Sequence, residues 1–148
     1  MRPVHRKSSS PEETFSIGQK LGRHLGKGRV VCLYGEVGAG KTTMIKGIAS
    51  AFGISDRDVT SASFTIITQY RTGPRFNHID LYRVTGSREV FETGVYDALD
   101  GESVSVIEWA ERLPEVPVDA IRVYFTIVSD SQREIRIEGI DEKDRDHL

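Results

Sequence analysis

The stretch LYGEVGAGKTTMIKG, Leu33 to Gly47, constrains this chain more than any other. Within it, Gly35-Glu36-Val37-Gly38-Ala39-Gly40-Lys41-Thr42 fits G-x-x-x-x-G-K-[ST], the Walker A pattern. Glycine loses the most backbone freedom on folding, so a loop this rich in it is costly to order. The pattern explains the cost. Glycines let the main chain turn closely enough to aim N–H groups at phosphate oxygens. A helix expected from about Lys41 to Phe52, stopped by Gly53, directs the positive end of its dipole at the same anion. The Lys41 ammonium reaches the β and γ phosphates, and the Thr42 hydroxyl suits Mg²⁺, a hard cation that prefers oxygen. RVVCLYG, just before the loop, has the near-continuous apolar composition of a strand buried on both faces. Strand, glycine loop and helix in that order are the context the pattern requires. No Asn-Lys-x-Asp stretch for reading guanine is present, which favours ATP over GTP.

The chain has 148 residues, the size of one ordinary domain. A single P-loop domain over 1–148 is expected, with 1–13 and 141–148 as flexible ends. The net charge of −2 argues against a nucleic-acid binder of the usual basic kind while leaving room for a local basic face. Cys32 is the sole cysteine, so neither an internal disulfide nor a cysteine metal cage can form. No apolar run approaches the roughly 20 residues that cross a bilayer. MRPVHRKSSSPEE carries positive charge without an apolar segment behind it and is no secretory signal. The expectation is a protein of the reducing cytoplasm without a membrane partner.

Elsewhere, ETFSIGQKLGRHL spaces Phe15, Leu21 and Leu25, with Ile17 and Gly18 nearby, as an opening helix ended by Gly26 and Gly28. SFTIITQYR and RFNHIDLYR flank Thr72-Gly73-Pro74 and read as an antiparallel hairpin. SREVFETG reads as a short helix ending at Gly94, and SVSVIEW as a second buried strand. IRVYFTIVS and REIRIEGI flank Asp130-Ser131-Gln132 as a closing hairpin. The fold class expected is α/β: a three-layer P-loop NTPase-like domain with a central mixed sheet and antiparallel hairpins.

A phosphate cradle with Mg²⁺ needs carboxylates. Asp and Glu total 22, and most lie in charge-mixed stretches. Asp80 in FNHIDLYR and Glu108 at the end of SVSVIEW do not. They fall where strands end, which is where an open α/β sheet places ligand contacts. Glu108 is read as a Mg²⁺ contact or a polariser of the attacking water, against an ion pair with Arg112. Asp80 is read as a second catalytic acid, against a salt bridge with Arg83 or Arg71. Accessory candidates are Ser61, Ser63 and Thr65, hydroxyls placed to sense a phosphate, against the plain reading that Ser and Thr are common at strand starts, and His78, read as a structural hydrogen-bonding histidine that shares the Asp80 face of a regular strand. Trp109 either stacks beside the site or packs in the core. Arg133, after a turn, reads on its own as a solvated hairpin arginine.

GEVGAGKTT, SASFTIITQY, HIDLYR and VIEWAERL, in this order, resemble the TsaE (YjeE) family of tRNA threonylcarbamoyladenosine biosynthesis ATPases over roughly Thr14 to Ile137. The resemblance implies slow ATP hydrolysis in support of TsaB and TsaD, which attach threonylcarbamoyl to adenosine 37 of tRNA. tRNA is thus an indirect partner. By motif, it implies that Gly38, Ala39, Gly40, Lys41, Thr42 and Thr43 hold the phosphates. Thr42 and Glu108 then bind Mg²⁺, Asp80 is the other essential acid, Trp109 lies beside the site and Arg133 approaches the nucleotide. Two family prolines are replaced, by Ala62 in Ser61-Ala62-Ser63-Phe64 and by Ala110 in IEWAER. Both changes spare the polar chemistry and remove local stiffness. A small-molecule kinase would share the loop, and a nucleotide-gated scaffold would share it without turnover. No segment long enough for a kinase lid is present, and no arginine finger is evident.

Overall fold

The computed structural model describes residues 2–59 and 66–148. Seven strands form one sheet: β1 (Val4–Ser8), β2 (Val30–Tyr34), β3 (Ile67–Tyr70), β4 (Phe76–Asp80), β5 (Val104–Glu108), β6 (Ile121–Ile127) and β7 (Arg133–Glu138), in spatial order β1-β7-β6-β2-β5-β4-β3. β6, β2, β5 and β4 run parallel in the centre, and the outer pairings β3–β4, β6–β7 and β1–β7 are antiparallel. This is the mixed sheet with two hairpins expected from sequence. All five residues of β5 are buried, as a strand covered on both faces demands.

Two cores cover the two faces. On one, α1 (Pro11–Gly22) and α2 (Lys41–Ser50) pack with Val31, Leu33, Val106, Val123, Ile135 and Ile137. On the other, α3 (Ser87–Glu92) and α4 (Val95–Ala98) contribute Val90 and Val95 to a core with Cys32, Ile79, Leu81 and Ile107.

Both ends depart from the flexible segments expected. Val4–Ser8 form β1, in register with Ile137–Arg133 of β7. Ser10 then caps α1, its side chain accepting from the Glu13 N–H at 3.1 Å, with Pro11 in the first turn, while Glu13 Oε2 accepts from the Ser9 N–H at 2.8 Å. SSSPEE is therefore a helix start of ordinary capping chemistry. The core stripe of α1 is Thr14, Ile17, Gly18, Leu21 and Gly22, displaced from the Phe15-based face expected, and the helix ends before Gly26. Glu142–His147 form a 3₁₀ turn held by Arg2 on Glu142 and by Arg6 on the Leu148 carbonyl, and Leu148 is buried.

Glycines set the spacing of α1 and α2. A Cβ on Gly47 would lie 2.1 Å from the Phe15 carbonyl oxygen, and one on Gly18 would lie 2.3 Å from that of Met44. The helices touch backbone to backbone, and no side-chain rotation relieves an added methyl. Gly47→Ala is expected to lower unfolding free energy by about 2–4 kcal/mol, because overpacking here moves a helix. Urea melts followed by circular dichroism check this, with Lys46→Ala, at a half-buried position of the same helix, as the tolerant control.

Candidate functional site

The register of the parallel strands assembles the site. Leu33 of β2 pairs with Glu108 of β5, and Glu108 pairs with Asp80 of β4. The three strands end level, so the glycine loop and both acids open on one edge of the sheet. A cleft of about 450 Å³ lies there, lined by Val37, Gly38, Gly40, Lys41, Thr42, Thr43, Asp80, Tyr82, Glu108 and Trp109.

The loop takes the shape its glycines permit. Gly38 and Gly40 have φ of 82° and 102°, in the left-handed region, and Gly35 has φ 147°. Gly40 precedes α2 without a side-chain cap. The N–H groups of the first turn have no intrahelical acceptor, which leaves a ready anion site. Lys41 is 5% exposed, donates to the Gly35 carbonyl at 2.5 Å, and lies 3.8 Å from the centroid of the Trp109 ring. Burial holds its pKa below the usual lysine range, opposed by the carboxylates of Glu111, Glu108 and Asp80. Burial conversely raises the Glu111 carboxyl, which Lys41 and Arg112 partly offset.

Glu108 is buried and held from two sides. Oε1 accepts from Thr42 Oγ1 at 3.3 Å, and Oε2 lies 2.8 Å from His78 Nε2. The expected rival, pairing with Arg112, does not occur: Arg112 donates instead to the Val84 carbonyl at 2.6 Å. His78 is the structural histidine expected from sequence, and what it orients is a site acid. Asp80, two residues on, caps the turn after β4 by accepting from the Tyr82 N–H at 3.0 Å. Trp109 belongs to the site and to the second core together, with its ring 5.1 Å from Tyr82 and near Lys41. Its φ of 58° is the only positive value among described non-glycine residues, a backbone strain of the kind stored where a side chain must be aimed.

Arg133 is not simply solvated. It donates to Gly38 O at 3.0 Å and to Ser129 O at 2.7 Å, tying the β6–β7 turn to the glycine loop. A second cleft of about 320 Å³ lies on that side, between the start of α1 (Ser9, Ser10, Thr14), the loop, Asp130 and Arg133. Ser61, Ser63 and Thr65 lie outside the described residues. Sequence reasoning missed Tyr82 and Glu111. Each lies two residues after a flagged acid or aromatic in IDLYR and WAER, so proximity was the available signal. It also missed Ser10, whose signal was the helix-start pattern.

His78→Ala leaves the Glu108 carboxylate buried and short of a bond, so a loss of about 2–4 kcal/mol is expected. Chemical denaturation measures it. His78→Gln, which retains a donor, should recover part of the loss, and full stability in His78→Ala would contradict the assignment.

Comparison with known proteins shows the family. The family model described as "Threonylcarbamoyl adenosine biosynthesis protein TsaE" matches residues 8–136. The tRNA threonylcarbamoyladenosine biosynthesis protein TsaE of Treponema pallidum is 35% identical over 131 residues, covering 88% of this chain and 96% of that one. The protein of the same name from Bacillus subtilis is 34% identical over 143 residues, 95% of this chain and 88% of that one. The crystal structure of Bacillus subtilis YdiB superposes with a TM-score of 0.71 at 30% identity, covering 92% of this chain and 84% of that chain. With the fold, the loop and the family match in agreement over most of its length, the chain belongs to the TsaE family of threonylcarbamoyl adenosine biosynthesis proteins.

Proposed function

We propose that this protein is a Mg²⁺-dependent P-loop ATPase that hydrolyses ATP slowly and works with TsaB and TsaD in threonylcarbamoyl modification of adenosine 37 in tRNA. The observation that carries the reading is one cleft in which the uncapped start of α2 and Lys41 face the Asp80–Glu108 pair. Cationic donors on one side and carboxylates on the other suit a transferable phosphoryl group with its metal.

The residues fit the metal. Thr42 Oγ1 and Glu108 Oε1 are hard oxygen donors 3.3 Å apart, close to the roughly 3 Å that separates neighbouring ligands of an octahedral Mg²⁺. Among the described residues no group of three His, Cys, Asp or Glu forms a metal cage. A Mg²⁺ site completed by phosphate and water needs none. Mg²⁺ bound there would neutralise charge on the phosphates.

The chain's own groups divide the rest of the work. Gly38, Ala39, Gly40, Lys41, Thr42 and Thr43 hold the phosphates through N–H groups, a hydroxyl and the ammonium. The nucleoside fits the second cleft, where Arg133 braces Gly38. Glu108, engaged by Thr42 and His78 on its two oxygens, suits a fixed metal-side ligand. That leaves Asp80 to orient the attacking water. Lys41 leaves Gly35 O for the phosphate, and Trp109 shields it from bulk water. Among the described residues that line the cleft there is no arginine to supply the transition-state charge a finger would. Slow turnover alone and acceleration by partners follow.

Phosphate-release assays with and without TsaB–TsaD test this reading. Lys41→Ala should lose ATP binding. Asp80→Asn should bind ATP within about threefold of wild type yet hydrolyse it about 100-fold more slowly. Undiminished turnover in Lys41→Ala, or no stimulation by the partners, would overturn it.

ATP binding should also depend on pH. Burial lowers the Lys41 pKa, so its charge is lost at a lower pH than that of an ordinary lysine as pH rises. Affinity measured by calorimetry should therefore begin to fall at a pH below the ordinary lysine range, and Lys41→Arg should move the fall upward.

A further inference from the structure

Two glycines of the phosphate loop are held by side chains that start from one place in the sheet. Ser8, the last residue of β1, pairs with Arg133, the first of β7. Arg133 reaches Gly38 O at 3.0 Å. Ser8 is buried and lines neither cleft. Its Oγ donates to the Ser10 carbonyl at 2.9 Å and lies 2.7 Å from Thr14 Oγ1. A hydroxyl carries one hydrogen, so Thr14 is the donor in the second bond. Thr14 is buried too, and its Oγ1 and methyl Cγ2 share one Cβ. Fixing Oγ1 on Ser8 therefore fixes where the methyl points. That direction is Gly40: a Cβ placed there would lie 3.6 Å from Thr14 Cγ2, in ordinary van der Waals contact, and 3.9 Å from Phe125 Cε2.

Helix capping does not account for this pair. Ser10 already caps α1 by accepting from the Glu13 N–H, and Glu13 returns to the Ser9 N–H. The helix start is satisfied without Ser8 or the Thr14 hydroxyl. Burying two hydroxyls costs free energy that an apolar pair would not, which their mutual bond offsets. The loop supplies a reason for them. Gly38 and Gly40 have φ of 82° and 102°, and Gly40 opens α2 without a side-chain cap. Glycine samples more backbone than any other residue, so the shape of these two positions has to be imposed by neighbours. Arg133 does this for Gly38 through a hydrogen bond, and Thr14 does it for Gly40 through packing.

We infer that Ser8 and Thr14 are positioning residues of the phosphate loop: they aim the Thr14 methyl at Gly40 and make the shape of the loop depend on the docking of edge strand β1 onto β7. The link to ATP rests on the proposed function, whereas the brace on the loop stands without it. Coupling of this kind is reciprocal. A ligand that binds the loop in its braced shape also tightens β1 on β7.

Amide hydrogen exchange on the full chain tests the brace without nucleotide. Ser8→Ala removes the anchor, and Thr14→Ser keeps the hydroxyl but loses the methyl. In both, the amides of residues 38–41 should exchange about fivefold faster than in wild type, or more. Ile17→Val, which loosens the packing of α1 one turn further on, should leave them at the wild-type rate. Calorimetry and turnover with MgATP on the same samples supply the second measurement. Affinity of Ser8→Ala and Thr14→Ser should fall about fivefold, while turnover at saturating ATP changes by less than about twofold, because the brace acts before the chemical step. Wild-type exchange in both variants would overturn the inference. So would equally fast exchange in Ile17→Val, which would mark a general loosening of α1, or loosened loops that bind MgATP as tightly as wild type. A loop that loosens in a protein whose wild type binds no ATP would leave the brace standing and sink the ATPase reading instead.

Discussion

The level ending of three parallel strands is the constraint on which the site depends. β2, β5 and β4 are paired so that Leu33, Glu108 and Asp80 fall in one row. A slip of one residue between β4 and β5 would turn Asp80 toward the opposite face from Glu108 and bury its neighbours wrongly. Burial on both faces prevents that slip. Ile79 and Ile107 fill one core and Val106 and Phe76 the other, so each strand has a single register that leaves no apolar group in water. The geometry of the acids is thus maintained by hydrophobic packing.

The site concentrates features that oppose stability. Lys41 and Glu108 are almost wholly buried charged-type groups, and Trp109 occupies a conformation that non-glycine residues avoid. The two buried charged-type groups are tolerated through specific partners: the Gly35 carbonyl and the Trp109 ring for Lys41, and Thr42 with His78 for Glu108. Backbone contact between α1 and α2 holds the start of α2 in place beneath the loop. The loop itself gains little from ordering, so neighbouring packing must supply its rigidity.

Much of this was legible in the residues. The glycine loop, the buried strands and both hairpins follow from composition and period, since their causes are local. Asp80 and Glu108 stood out as carboxylates closing apolar runs. The ends were misread for two reasons. Val4–Ser8 alternate too weakly to announce a strand, and they become one only because β7 offers an open edge. Ser10-Pro11-Glu12-Glu13 did carry a helix-start signal, but the charge and serines around it also suited a flexible lead. The α1 stripe was displaced because glycines, invisible to a hydrophobic period, form its contact face with α2.

The sequence by itself determined that an anion-holding loop sits between a buried strand and a helix, with two acids at strand ends. Those facts depend on residues close together in the chain. Only the tertiary structure decided that Glu108 is shared between Thr42 and His78, that Arg133 reaches Gly38, and that Ser8 pairs with Arg133 at the sheet edge. Each of these joins segments far apart in sequence, and such contacts are chosen by strand order, register and the closing of two cores, which no local pattern encodes.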